Sequence, residues 1–213
     1  MVLKDFRCRV SSDMFDRFSA EQLRWNALRS EAGFVVQCGG RAASDPVRVQ
    51  IFGVWADIDA YRRFMSQVHD LIFEGGSQGD CYHKAQSALY EPVFDLPGNE
   101  QDLSGALGHD PAMIRIARCA VRPDRVEHFV EMQRKVWMPG MKSAPGMLGG
   151  GFWRSVDDEH QFIVTTAWAS MEDHERYRHE QLPTLRDSAN PDDDLEMLDG
   201  DQIVLIPAWT VLP

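Results

Sequence analysis

The chain has 213 residues and a mass of 24.2 kDa, enough for one large domain or two of about 100 residues. Hydrophobic residues make up 44% and charged residues 26%, which excludes a wholly disordered chain. The net charge of −11 opposes binding to nucleic acid and to anionic lipid surfaces. No stretch reaches the roughly 18 apolar residues of a membrane helix, and charges occupy the N-terminus where a signal peptide is apolar. We therefore expect a cytoplasmic protein.

The four cysteines are scattered and include no C-x-x-C pair. They are Cys8, Cys38, Cys81 and Cys119. We expect buried thiols, with a reactive thiol as the alternative, because this spacing is typical neither of a zinc site nor of a disulfide framework. The sequence predicts no metal site.

Short segments of the first half recur in the second half at a nearly constant distance. Trp55-Ala56 recurs as Trp168-Ala169, and Gly33 recurs as Gly146, both 113 residues later. Several matches in the same order indicate a duplicated unit of about 100 residues.

A polar, glycine-bearing segment without periodicity separates the two copies and is typical of a linker. We therefore predict a first repeat at residues 1–97, a linker at 98–112 and a second repeat at 113–213.

The first half has, in chain order, the hydrophobic periodicities of a strand, a helix, two strands, a helix and a strand. The predicted ranges are 4–10, 15–28, 34–38, 47–55, 58–72 and 86–94. Ser11-Ser12-Asp13 offers an N-cap for the first helix, and Asp57 offers one for the second.

The second half repeats this order, with helices near 125–137 and 171–182 that are predicted to end at Pro139 and Pro183. The order β-α-β-β-α-β is the ferredoxin-like unit, whose sheet carries helices on one face only. We therefore predict an α+β fold of two tandem ferredoxin-like repeats packed sheet-to-sheet as a fused α+β barrel. The chain is then a pseudo-dimer by itself, and pairing of two chains into a homodimer stays open.

The segment from Asp187 to Asp201 contains seven acidic residues and no Lys or Arg. Its spacing does not match a calcium-binding loop. We predict a solvated loop between the last helix and the last strand.

In each half a Trp-Ala pair precedes the second helix, with Tyr61 or His174 six residues after the tryptophan. With the duplicated order, this resembles the dimeric α+β barrel superfamily, in particular its antibiotic-biosynthesis-monooxygenase branch. The first half also resembles the uncharacterised bacterial YdbC-like proteins. That likeness is carried by Trp25, Gly33-Phe34, Gly39-Gly40, Phe52, Trp55, Tyr61, Phe64-Met65 and His69-Asp70 with Phe73.

The resemblance implies several activities, since the fold alone does not select one. Our leading hypothesis is a cofactor-independent monooxygenase that acts on an aromatic or quinonoid small molecule. One alternative is a non-catalytic small-molecule-binding or stress-response barrel. The other is a haem-binding or haem-degrading protein, for which the resemblance makes His69 the axial ligand. The first-strand Asn and mid-helix Trp of haem-degrading relatives are missing here, so we predict no cofactor.

Two histidines are the candidate catalytic bases, because imidazole exchanges a proton near neutral pH. They are His69 and His174; each can instead be a core ring with satisfied hydrogen bonds, His69 by pairing with Asp70 or a backbone carbonyl. Aromatic and amide side chains are predicted to form the substrate-binding wall for a flat ligand, with plain core packing as the alternative. They are Trp25, Trp55, Tyr61, Gln37, Trp137 and Trp168.

Overall fold

The computed structural model describes residues 1–213. The chain forms two compact units, one comprising Met1–Leu89 with Ile203–Pro213 and the other Tyr90–Gln202. The segment 98–112, interpreted above as a linker, contains a short helix that buries Leu103 and Leu107. The repeat boundaries at 97 and 113 stay predictions.

Eight strands and eight α-helices follow one another along the chain. The strands are β1 (Val2–Arg9), β2 (Phe34–Ala42), β3 (Arg48–Trp55), β4 (His83–Pro97), β5 (Met113–Val121), β6 (Met147–Ser155), β7 (Gln161–Trp168) and β8 (Leu195–Leu205). The helices are α1 (Phe15–Gln22), α2 (Ile58–Gln67), α3 (His69–Glu74), α4 (Leu103–Leu107), α5 (Val126–Met132), α6 (Met138–Lys142), α7 (Met171–Glu180) and α8 (Leu182–Ala189). None of these helices has both the length and the apolar character needed to cross a bilayer.

The two units share one strand register. In the first, β1 and β2 pair antiparallel with β3, and Val2 lies opposite Trp55. In the second, β5 and β6 pair antiparallel with β7, and Met113 lies opposite Trp168. The predicted fold class is confirmed: it is α+β with tandem ferredoxin-like repeats.

The same backbone turn precedes the second strand of each repeat. Gly33 and Gly146 have φ angles of +82° and +80°, a conformation that L side chains rarely adopt. The carbonyl of each accepts a hydrogen bond from the residue after the paired tryptophan, at 2.8 Å from Ala56 and 2.9 Å from Ala169. The recurrence of these glycines therefore reflects a shared backbone requirement.

The predicted helices are interrupted in the structure. The helix predicted at 58–72 breaks at Val68, whose φ of −124° is not helical, so that His69 begins a new helix. In the first predicted helix, the α-helical part ends at Gln22 and a 3₁₀ segment continues to Ser30. Asp57 caps α2 as predicted, by accepting a hydrogen bond from the backbone N–H of Ala60 at 2.7 Å.

Two predictions about helix ends are wrong. Met14, not a residue of Ser11-Ser12-Asp13, is the N-cap of α1, and no side-chain hydrogen bond caps this helix. Pro139 does not end its helix, because a π-helical turn at Gln133–Trp137 is followed directly by α6. Proline lacks an N–H donor, and the π-helical turn before α6 interrupts the regular α-helical hydrogen bonding at this point. Pro183 lies in the first turn of α8, after α7 ends at Glu180.

Each unit has its own apolar core. In the first unit one cluster surrounds Trp55 and Phe64, and another surrounds Phe18 and Trp209. In the second unit the cluster around Trp168 joins both sheet and helices. A fully buried side chain of this size contributes about 1.5–3 kcal/mol to folding. The four cysteines are buried free thiols, as predicted, and burial raises the pKa of Cys119 to about 12.

Candidate functional site

A cavity of about 260 Å³ lies in the first unit and is bordered by residues of both of its apolar clusters. Strands β1, β2 and β3 supply most of its sheet side and β4 adds Ser87, while α1, α2 and α3 with their flanking segments supply the rest. Of the eight predicted site residues, five line this cavity: Trp25, Gln37, Trp55, Tyr61 and His69. Five of the eight predicted site residues therefore lie together at one cavity, and their roles stay predictions.

Aromatic rings in contact form the wall of this cavity. Trp55 stacks on Phe64 with ring centroids 4.7 Å apart, and the Tyr61 ring meets Trp55 edge-on at 6.0 Å. The Trp25 ring lies 5.4 Å from the imidazole of His69. Such a wall suits a flat, apolar ligand, because rings offer large contact area at low cost in conformational entropy.

His69 has features of both alternatives that the sequence left open, namely a ring at the ligand site and a ring paired with Asp70. Its side chain is 18% exposed, and its Nδ1 lies 2.8 Å from Oδ1 of Asp70. It also borders the cavity and stacks on Phe73 with the ring planes 18° apart. With Nδ1 engaged by a carboxylate, Nε2 is the nitrogen left to interact with a ligand. The catalytic role of His69 stays a prediction.

A chain of side-chain hydrogen bonds fixes Trp25 at the cavity. Its indole Nε1 donates to Oε1 of Gln78 at 2.8 Å, and Nε2 of Gln78 donates to Oε1 of Gln22 at 2.7 Å. Gln22 and Gln78 are buried and also border the cavity. Sequence reasoning did not find these two glutamines, because 56 residues separate them and only the fold brings them together.

Lys4 is the most informative residue that sequence reasoning missed. It lies on β1 and borders the cavity, with its ammonium group 5.9 Å from the centroids of both the Phe6 and Tyr61 rings. It forms no ion pair with a carboxylate, and burial lowers its pKa from 10.5 to about 8. The alternating pattern of β1 could have identified Lys4 as a cavity residue, because it places Lys4 on the same strand face as Phe6 and Cys8.

Gln37 borders the cavity and carries an unsatisfied polar group. Its side chain is 7% exposed, and its Nε2 is buried without a hydrogen-bond partner. Buried amide donors nearly always have a hydrogen-bond acceptor, so the unpaired Nε2 of Gln37 is an exception.

The remaining predicted site residues belong to the second unit and do not line this cavity. His174 is 2% exposed, and its Nδ1 accepts a hydrogen bond from Nε2 of Gln202 at 3.0 Å. Burial, with the nearby charge of Arg115, lowers the pKa of His174 to about 4. Its ring packs 5.0 Å from that of Trp168, and Trp137 is a half-buried residue packed against the same core. A ligand-binding role for these residues stays a prediction.

Comparison with known proteins covers the two halves of the chain separately. Residues 2–90 match a family model described as a domain of unknown function, DUF4937, and residues 112–183 match the model described as antibiotic biosynthesis monooxygenase. The uncharacterized protein YdbC of Bacillus subtilis is 31% identical over 105 residues, which cover 46% of this chain and 88% of that protein.

Several solved structures are similar over nearly the whole chain. A candidate monooxygenase from Lactobacillus acidophilus matches with a TM-score of 0.73 at 14% identity, covering 99% of this chain and 95% of the other. One from Fusobacterium nucleatum matches with a TM-score of 0.77 at 11% identity, covering 96% and 91%. An anthrone oxidase-like protein matches with a TM-score of 0.68 at 10% identity, also covering 96% and 91%. At these identities the likeness establishes the fold.

Proposed function

Because the chain belongs to the family of the uncharacterized protein YdbC and carries an antibiotic biosynthesis monooxygenase domain, we propose that it is a cofactor-independent monooxygenase acting on an aromatic or quinonoid small molecule. The observation that carries this proposal is the aromatic cavity bordered by His69, whose ring is held by Asp70. The anthrone oxidase-like neighbour is consistent with it.

The cavity favours a small, flat substrate. Its volume of about 260 Å³ lies just below the range of roughly 300–1,000 Å³ that is typical of ligand pockets. The rings of Trp25, Trp55 and Tyr61 supply contact surface for a fused aromatic system.

The proposed reaction begins with removal of an acidic proton. Nε2 of His69 accepts a proton from a carbon that is conjugated with a carbonyl through the aromatic system, and the electron pair left behind forms a C–O bond with molecular oxygen. Protonation of the product gives a hydroperoxide. Loss of a second proton from the same carbon then breaks the O–O bond and releases hydroxide, which takes up a proton to become water. A CH₂ group thus becomes a ketone, with one oxygen atom in the product and one in water.

Oxygen uptake with anthrone and with naphthohydroquinone tests this proposal, with His69→Gln as the informative variant. We expect a loss of at least 100-fold for His69→Gln, within the roughly 10²–10⁴-fold contribution of a general base. His179→Gln is the matched control, because the His179 side chain is 81% exposed on α7. Activity should persist after dialysis against a chelator and without added flavin, nicotinamide or haem.

Two outcomes would overturn the proposal in favour of the alternatives. Binding of these aromatics without any oxygen uptake would favour a non-catalytic binding protein. A saturable Soret band on addition of haemin, lost in His69→Ala, would favour haem as the ligand. A cytoplasmic location remains part of the proposal, as does action without a second copy of the chain.

A further inference from the structure

Three residues form one row across the sheet side of the cavity. Lys4 on β1 and Gln37 on β2 are both register partners of Gly53 on β3. Directly opposite residues of antiparallel strands point to the same face, with Cβ atoms about 4.5–5.5 Å apart. A lysine and a glutamine therefore flank a position without a side chain, and all three residues border the cavity.

The position above Gly53 is open. A Cβ atom added there would meet the indole nitrogen of Trp55 at 3.7 Å and, chain neighbours apart, nothing else within 4 Å. Most other strand glycines are closely covered, and a Cβ at Gly40 would lie 1.9 Å from a backbone oxygen; Gly200 on β8 is open as well, but it does not border the cavity. The space above Gly53 thus belongs to the cavity and is bordered by Lys4, Gln37 and Trp55.

The polar groups around this space supply three N–H donors, with the amide oxygen of Gln37 as the one acceptor. Nε2 of Gln37 has no acceptor, the ammonium of Lys4 has no carboxylate partner, and the indole N–H of Trp55 has no hydrogen-bond partner. An indole N–H and an ammonium can only donate. A buried donor without an acceptor, as at Nε2 of Gln37, costs free energy. Together with the ammonium of Lys4 and the indole N–H of Trp55, it is complementary to a ligand oxygen that accepts several hydrogen bonds.

The second unit has the acceptor that the first lacks. There Thr166 occupies the position of Gly53, and its hydroxyl accepts a hydrogen bond from Nε1 of Trp168 at 2.9 Å. The tryptophan donor of the second unit is therefore satisfied within the protein. The replacement of this threonine by glycine leaves both the space and the unpaired Trp55 donor in the first unit.

We propose that the space above Gly53 is an oxyanion-binding site that holds an ionised oxygen of an aromatic ligand between Lys4, Gln37 and Trp55. The ligands of this class are aromatic carboxylates, phenolates and enolates. As a statement about the substrate this inference rests on the proposed function, because removal of a proton from a carbon conjugated with a carbonyl places negative charge on the carbonyl oxygen. Donors aimed at such an oxygen stabilise the charge as it develops.

A pair of probes that differ in charge tests the site without turnover. 2-Naphthoate carries an ionised carboxylate, and 2-naphthalenemethanol is a neutral molecule of similar shape. In isothermal titration calorimetry at pH 7, we expect the native chain to bind 2-naphthoate at least tenfold more tightly than the alcohol. Equal affinities, or tighter binding of the alcohol, would overturn the proposal.

Two substitutions test whether the preference for 2-naphthoate over the alcohol arises at the space above Gly53. Lys4→Met should remove most of it, and Gly53→Thr, which copies the second unit, should weaken 2-naphthoate binding at least fivefold by filling the space. Lys142→Met is the matched control, because Lys142 is exposed on α6. A tenfold preference that survives both Lys4→Met and Gly53→Thr would place the anion elsewhere and overturn the assignment.

The outcomes separate this inference from the proposed function. Charge-selective binding that depends on Lys4, without oxygen uptake for any substrate, supports the oxyanion site and contradicts the monooxygenase. Oxygen uptake that is unchanged in Lys4→Met, together with equal affinity for the two probes, supports the monooxygenase and contradicts the oxyanion site.

Discussion

The two units share a strand register and differ in what lies beneath their second helix. In the first, Trp55 and Tyr61 border a cavity; in the second, the equivalent Trp168 and His174 pack against each other, and Nε1 of Trp168 and Nδ1 of His174 form hydrogen bonds within the protein. The same backbone pairing therefore holds a tryptophan without a hydrogen bond beside a cavity in one unit and a hydrogen-bonded tryptophan in the other. The comparison teaches that a few side chains can change the surroundings of an equivalent residue while the strand register stays the same.

The largest expected difference concerns the paired tryptophans. Trp168→Ala should lower the free energy of unfolding by about 4 kcal/mol, as expected for a large, fully buried ring. Trp55→Ala should cost about 1–2 kcal/mol less, because one face of Trp55 already borders empty space and no indole hydrogen bond is lost. Urea unfolding of both variants checks this. Equal losses would indicate that the cavity is closed in solution.

The next difference concerns the histidine of the first unit, which has Leu182 at the equivalent position of the second. His69→Leu should reduce oxygen uptake at least 100-fold, or about 2.7 kcal/mol in transition-state free energy, since leucine cannot accept a proton. Leu182→His should leave uptake within twofold of the native rate. A similar loss in both variants would argue that both units take part in the reaction.

A reciprocal exchange at the centre of the sheet should have a smaller effect. Thr166→Gly should lower the free energy of unfolding by about 2 kcal/mol, because it leaves the Trp168 donor buried and unpaired and opens a small void. Gly53→Thr should leave stability unchanged or raise it slightly, since the added side chain enters open space. Thermal unfolding of the two variants measures both effects. Equal destabilisation by the two substitutions would contradict the prediction.

The last effect is a gain in stability on removing the buried charge. Lys4→Met should raise the free energy of unfolding at pH 7 by roughly 1–3 kcal/mol, because burial disfavours the ammonium in the folded chain. The folded pKa of about 8 lies below the unfolded value of 10.5, so the native chain gains stability as the pH rises between these values. The advantage of the methionine variant should therefore be complete below pH 8 and vanish above pH 10.5.

Comparing urea unfolding of the native chain and Lys4→Met at pH 7 and pH 9.5 isolates this effect, because all other titrating groups are common to both. These include Tyr61 and Tyr82, whose pKa values burial raises and which also border the cavity, and His69. A stability difference independent of pH would contradict the burial of the Lys4 charge.

The repeated pattern of the sequence was sufficient to predict the fold class and part of the cavity wall. Trp55 and Tyr61 follow from the matched Trp-Ala pairs, and the Asp57 cap follows from local chemistry. These features depend on residues close to one another in the chain or on their recurrence, which a sequence shows directly.

Features that depend on distant partners could not be predicted. The acidic segment was expected to be a solvated loop, yet it includes β8 from Leu195 onward, and Asp194 is 1% exposed with hydrogen bonds to Arg125 and His128 at 2.9 Å. Lys4 looked like an ordinary strand residue in the sequence, because its place beside an open space depends on its pairing with Gly53 on another strand. In both cases the environment of a charge is set by strand pairing that local periodicity does not reveal.

The distribution of tryptophans gives the cavity a built-in optical reporter. The chain has six tryptophans, of which only Trp25 and Trp55 border the cavity. Trp153, Trp168 and Trp209 are almost completely buried in apolar clusters or in their own hydrogen bonds. A quinone entering the cavity should therefore quench a fixed fraction of the intrinsic fluorescence and leave a constant remainder. Occupancy of the first unit can thus be followed in real time without any label.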